Sequence, residues 1–299
     1  MSQVFLPLQL ATMSLRHRVA VAPLRRLRIV RDYYEQHAPV PRTLITTEGL
    51  NIDPAFQPPF RLPLPTNAAQ VASWKSITDT VAPLLSLRSA YLGEQNSTIV
   101  DSQPKFSLAP SAHSPISERD MQEAIGIFVA AAQRAMEAGF DAVQIHGANG
   151  YLLDQFTQDT ANRRGERWRG NVDDRSRFGV EATRAVVLVI GAENAGYQIS
   201  PHRDFQGMRM EETCPQFEDH VTKLAILSLA SARTLVAQWA DKYIVVMFGR
   251  FFVANANLPF WFQFDIEFNL WDRDTFSTPQ ASGCTDYSFR PLFNAELTL

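Results

Sequence analysis

Short apolar runs, each ended by polar, glycine or proline residues, alternate with longer amphipathic stretches through much of this chain, and that rhythm belongs to an α/β protein. Val19 to Ala22, Leu44 to Thr47, Ala142 to Ile145, Gly196 to Ile199 and Ile244 to Phe248 read as short buried strands. Between them, Ser117 to Ala138 carries a capping-box start, Ser117 with Asp120. Apolar residues follow at Met121, Ile125, Phe128, Ala132 and Met136, and Gly139 stands at the end, so the stretch reads as a helix. Asp174 to Ile190 repeats this logic with Phe178, Ala182, Ala185, Val186 and Val189 before Gly191. Val71, Trp74, Ile77 and Val81 mark a third helix, and Ser231 to Lys242 reads as a fourth. Proline density from Pro54 to Pro65 excludes a helix there, and Gln95 to Pro115 shows no sustained period, so both are expected to be loops.

Composition sets the class of partner. The 299 residues, 45% hydrophobic and 20% charged, suit one large domain or two small ones. A formal net charge of −3 gives no electrostatic reason for nucleic acid or an anionic membrane as partner, which leaves a small molecule. The N-terminus lacks the layout of a signal peptide, and no apolar run is long enough to span a bilayer. Cys214 and Cys284 fit neither a disulfide framework nor a metal site, so a reducing, cytoplasmic setting is expected.

The segment after the strand at Ala142 to Ile145 reads His146-Gly147-Ala148-Asn149-Gly150-Tyr151-Leu152-Leu153-Asp154-Gln155-Phe156, continuing to Asn162-Arg163-Arg164. In parallel α/β architectures, loops after the carboxyl ends of strands are where chemistry sits. This segment resembles the substrate side of the flavin site in the old yellow enzyme family of FMN-dependent ene-reductases. Other stretches agree in order: Ala22-Pro23-Leu24, Thr47-Glu48-Gly49, Ala109-Pro110-Ser111, Ser200-Pro201, Asp204-Phe205-Gln206-Gly207 and Phe248-Gly249-Arg250. The resemblance covers nearly the whole chain and implies a single barrel domain over residues 1–299, of the TIM (β/α)8 type. It also implies FMN as cofactor, NADPH or NADH as reductant, an α,β-unsaturated carbonyl substrate and a place in fungal secondary metabolism.

The residue chemistry agrees. Reduction of an activated C=C bond needs donors at the carbonyl oxygen, where charge develops, and His146 and Asn149 are suitable donors. A proton must also reach the α-carbon from a weak acid, and Tyr151 can supply it. The resemblance assigns FMN contacts to Pro23, Leu24, Arg25, Gly49, Gln198, Gly249 and Arg250, the last with the forked donors that a phosphate favours. Trp74, Trp168 and the many Phe residues read as packing.

The pattern also breaks. Arg25 stands where the family has a small hydroxyl or thiol residue, Gln198 where it has an Arg at the flavin, and Ser277 where it has an aromatic pocket residue. The stretches between Val81 and Leu92 and between Leu224 and Ser231 are short, so roughly two of eight barrel strands are expected to be missing, leaving an incomplete or distorted barrel. Two further readings therefore stand beside reduction: isomerisation or epimerisation of the same kind of compound, and a flavin-free, inactive relic. The residues leave the oligomeric state open.

Overall fold

The computed structural model describes residues 3–10, 13–23, 30–50, 52, 67–81, 87–92, 117–162, 166–168, 170–200, 208, 215–216, 219, 245–272, 275, 282–283 and 285–287. The expected helix Ser231 to Lys242, the Pro54 to Pro65 and Gln95 to Pro115 stretches, and Ser277 all lie outside these residues.

Among the described residues, a small antiparallel hairpin, β1 (Leu8–Leu10) with β2 (Met13–Leu15), precedes six parallel strands. These are β3 (Val19–Val21), β4 (Leu44–Leu50), β5 (Leu87–Leu92), β6 (Ala142–His146), β7 (Ala195–Gln198) and β8 (Val246–Phe248). Helices α1 (Val30–His37), α2 (Ala68–Val81) and α3 (Glu118–Glu137) link the first four of these strands, and α4 (Leu152–Thr157) and α5 (Val172–Ile190) link β6 to β7. Two short helices, α6 (Arg250–Ala254) and α7 (Leu258–Gln263), follow β8.

The strand order is β7-β6-β5-β4-β3-β8. Each strand from β4 to β7 lies beside its predecessor, with no reversal of direction across the sheet, and β8 then pairs with β3 through Val19↔Val246 and Val21↔Phe248. An open doubly wound sheet would reverse its order at a switch point. A singly wound progression whose last strand returns beside the first is the connectivity of a (β/α) barrel.

The helices form for local reasons. Ser117 caps α3 by accepting the Asp120 backbone N–H at 3.2 Å, and the Asp120 carboxylate accepts the Ser117 N–H at 2.8 Å, completing the expected capping box. Helix α5 starts two residues before the expected Asp174, because Asn171 accepts the Asp174 N–H at 2.9 Å, and it ends at Gly191 with φ 86°. Phe128, Phe156, Phe178 and Tyr197 are buried where α3, α4 and α5 meet the outer face of the sheet. Each fully buried Phe contributes roughly 1.5–3 kcal/mol. On the inner side, Leu8 and Leu15 of the hairpin pack with Ala20, Leu44, Val245 and Met247, which closes the amino-terminal end of the strands.

One expectation needs correction. The stretch between Val81 and Leu92 has not lost its strand: Leu87–Leu92 forms β5, in parallel register with β4 (Leu44↔Leu87) and with β6 (Leu92↔Ile145). Its mixed composition hides it from a pattern search, and backbone pairing on both sides outweighs that weak local preference. The second expected loss, between Leu224 and Ser231, lies outside the described residues.

Candidate active site

Parallel strands place their carboxyl ends on one rim, and the expected site residues fall there. Pro23 follows β3, Gly49 lies near the end of β4, His146 ends β6, Gln198 ends β7 and Gly249 follows β8. Arg250 opens α6, with its side chain outside the described atoms, as are Leu24 and Arg25 altogether.

The loop from His146 to Tyr151 is built by its own hydrogen bonds. Gly147 N–H donates to the Gln198 carbonyl at 3.0 Å, joining the ends of β6 and β7. Asn149 N–H donates to Ser200 Oγ at 2.8 Å, and Gly150 N–H donates to Asp154 Oδ2 at 2.8 Å. Gln155 Nε2 donates to the Gly150 carbonyl at 2.7 Å. Asn149 and Gly150 both adopt left-handed backbone, with φ 59° and 76°, which Asn and Gly tolerate best. Gly147 is required for space: a Cβ there would lie 2.1 Å from the Tyr197 ring, which fills the gap behind the loop. Downstream, Asn162 Nδ2 donates to the carbonyls of Phe156 at 2.8 Å and Trp168 at 2.6 Å, so the Asn of the motif ties the following turn.

His146 is 3% exposed, and burial pulls its imidazole down to about 3, so it is neutral at physiological pH. Its Nδ1 accepts the Ala148 backbone N–H at 3.2 Å. An Nδ1 that accepts carries no hydrogen, so the proton of the neutral ring sits on Nε2, which is then a donor. The Tyr151 ring meets this imidazole edge to face with centroids 4.8 Å apart. Asp154, fully buried, has its carboxyl pushed up to about 6 by desolvation, against the pull of hydrogen bonds from Gln158 and Gly150. Burial also raises the Tyr197 phenol, with Asp154 adding to the shift.

Among the described residues, buried polar atoms of the strands without a hydrogen-bond partner include Thr46 Oγ1 on β4, Gln144 Oε1 on β6 and Gln198 Oε1 on β7. Gln144 lies one inward position below His146, and its Nε2 reaches Met247 Sδ on β8 at 3.2 Å, which identifies the barrel interior as the side it faces. Gln198 is register partner to His146. Buried acceptors without partners are costly and mark a place for a bound group or water. Asp154, Ser200 and Gln144 were not expected as site residues. Asp154 falls inside the His146–Phe156 run, whereas nothing in the sequence marks Gln144.

Fold and site together define a (β/α)-barrel enzyme type with a neutral histidine donor at the carboxyl-terminal rim. The model of the NADH:flavin oxidoreductase / NADH oxidase family matches residues 3–244, and the chain belongs to that family. FMN is the family's flavin, and nicotinamide its reductant. The aldehyde reductase FrzD of a Cladobotryum species is 33% identical, the match covering 99% of this chain and 96% of that protein. That match runs over 362 positions against 299 residues here, so the relative carries internal segments that this chain lacks. The chanoclavine-I aldehyde reductase fgaOx3 of Penicillium roqueforti is 34% identical, over 98% of both chains. A Claviceps purpurea protein named "Probable inactive dehydrogenase easA" is 32% identical, over 92% of both. Among solved structures, morphinone reductase in complex with tetrahydroNAD superposes with a TM-score of 0.82 at 26% identity, covering 97% of this chain and 98% of that one. The old yellow enzyme homologue of Zymomonas mobilis superposes with a TM-score of 0.85 at 23% identity, covering 96% and 99%, which supports the TIM-barrel fold.

The rim residues fit a flavin. Gln198 offers both an amide donor and an Oε1 acceptor that has no partner among the described residues at the end of β7, the two kinds of group that a flavin pyrimidine edge can pair with. What Gln198 does not bring is charge. Among the described residues no helix is long and apolar enough to cross a membrane, and no cluster of His, Cys, Asp and Glu could hold a metal ion.

Proposed function

We propose that this chain is an FMN-dependent ene-reductase that consumes NADPH or NADH and reduces the C=C bond of an α,β-unsaturated aldehyde or ketone of fungal secondary metabolism. The observation that carries the reading is the fixed tautomer of His146: with Nδ1 engaged by Ala148, Nε2–H is the ring's only donor. The names of the fungal relatives, aldehyde reductases among them, support the carbonyl class of the substrate.

Gln198, the backbone of Pro23 and Gly49, and Gly249 with Arg250 would hold the FMN, and the bound flavin supplies the hydride that reaches the β-carbon. His146 Nε2–H and the Asn149 amide hold the substrate carbonyl and stabilise the charge that develops on its oxygen. A neutral imidazole does this without giving up its proton, because Nε2–H is far less acidic than imidazolium. Tyr151, held against the His146 ring, delivers the proton to the α-carbon. Small enone molecules are the partners expected.

The replacement of a charged residue by Gln198 favours one rival, a flavin-free and inactive chain, and a relative named as inactive stands beside it. One experiment decides. The purified protein is examined for the visible flavin absorption band and then given NADPH with 2-cyclohexen-1-one. A flavin band and enone-dependent NADPH oxidation support the proposal. Conversion of an enone without NADPH consumption identifies an isomerase, and absence of both flavin and turnover leaves the inactive reading.

A further inference from the structure

Resting on the carbonyl-clamp reading above, the structure assigns Ser200 the part of a positioning residue for Asn149. Two bonds join the loop after β6 to the exit of β7. The Gln198 carbonyl accepts Gly147 N–H at 3.0 Å, and Ser200 Oγ accepts Asn149 N–H at 2.8 Å. Gln198 and Ser200 are two residues apart, as are Gly147 and Asn149, so the two segments are stapled at matching intervals. The second staple is the one made by a side chain, and it falls at the residue with the least comfortable backbone, φ 59° on a residue with a Cβ. A left-handed conformation costs a non-glycine residue free energy, so its N–H needs a fixed acceptor to hold the amide side chain in one place.

The staple also has a geometric effect. Gln198, the flavin-side residue, and Asn149, the carbonyl-side residue, belong to different strands, and the separation between hydride source and carbonyl depends on how those strand ends are registered. Ser200 sets that register through three covalently consecutive residues, Gln198, Ile199 and Ser200. Misplacement by about 1 Å at such a junction is enough to cost on the order of 10²-fold in rate.

The test compares Ser200→Ala and Ser200→Thr with the wild type by amide hydrogen exchange, read on the peptide that contains Asn149, and by turnover of 2-cyclohexen-1-one. Ser200→Ala should speed exchange at Asn149 and lower kcat/KM for the enone by about 10-fold or more. Ser200→Thr keeps the hydroxyl and should restore both. Unchanged exchange at Asn149 in the Ala variant overturns the assignment, and so does an equal loss of kcat/KM in the Ala and Thr variants. A wild type that turns over no enone defeats the clamp reading, not this one, and the exchange at Asn149 then decides the part played by Ser200 by itself.

Discussion

The phenol ring of Tyr151 stands edge-on to the imidazole of His146, with centroids 4.8 Å apart and planes at 69°. A phenylalanine would keep that contact and lose only the hydroxyl. In Tyr151→Phe, reduction of the flavin by NADPH should therefore proceed nearly as in the wild type. The oxidative half-reaction with an enone should slow by roughly 10² to 10⁴-fold, the usual worth of a general acid. Stopped-flow traces of the two half-reactions check this, and an equal loss in both would show that the hydroxyl positions groups in the site and is not the acid at the α-carbon.

His146 should not titrate in the working range. Burial depresses its folded-state value to about 3 from an ordinary 6.5. The folded protein thus binds the proton less well than the unfolded chain, so the stability that the neutral ring contributes is full above pH 6.5 and is lost as pH falls towards 3. The profile of kcat/KM for the enone should show no break near the histidine's ordinary value, and His146→Ala should cost about 10²-fold in rate. An acid limb centred there, absent from the variant, would show that the imidazole ionises.

Asp154 has the opposite sign. Its carboxyl is raised to about 6 from 3.8, so the folded state holds the proton more tightly, and this group adds stability as pH falls from above about 6 to below 3.8. At neutral pH it is an ionised carboxylate that burial disfavours. Asp154→Asn keeps an acceptor for Gly150 N–H, and its amide can serve Gln158 Oε1, which is buried without a partner among the described residues. The variant should be more stable at neutral pH by on the order of 2 kcal/mol, an advantage that fades on acidification. Thermal melts across this range measure it.

Gly147→Ala should strike the Tyr197 ring, since the new Cβ would lie 2.1 Å from it. Overpacking of this kind typically costs about 1–3 kcal/mol, and the loop should shift with it. Adding Tyr197→Leu opens the space, so the double variant should recover part of the melting temperature lost by Gly147→Ala. Additive losses would place the clash elsewhere.

Flavin retention on desalting should respond in opposite directions to two changes. Arg250→Ala removes the charged partner expected for the phosphate and should release FMN. Gln198→Arg restores the cation that the family resemblance expects at the pyrimidine edge and should tighten binding. Retention unaffected by either would place the cofactor contacts on other residues.

The rim was legible because its residues sit in one contiguous run after a clear strand: His146, Asn149 and Tyr151 are read together or not at all. The barrel strands were legible only where apolar residues dominate, as in Ala142–His146, and Leu87–Leu92 escaped because its pairing partners, not its own composition, make it a strand. Helix α1 escaped for a related reason, since Val30–His37 is short and polar and buries Tyr33, Tyr34 and His37 through tertiary contacts. Gln144 could not have been found, because its importance lies in the Met247 sulfur opposite, 103 residues away in sequence.

The pairing of Val19 with Val246 also orders events during synthesis. A ribosome adding roughly 5–20 residues per second takes many seconds to pass from the first strand of the ring to the strand that seals it. Until then the rim lacks Gly249 and Arg250, and β3 presents an unsealed edge. Such distant pairings are slow to form and leave a nascent chain exposed to aggregation. The seam between β3 and β8 is therefore where a chaperone would have most to protect.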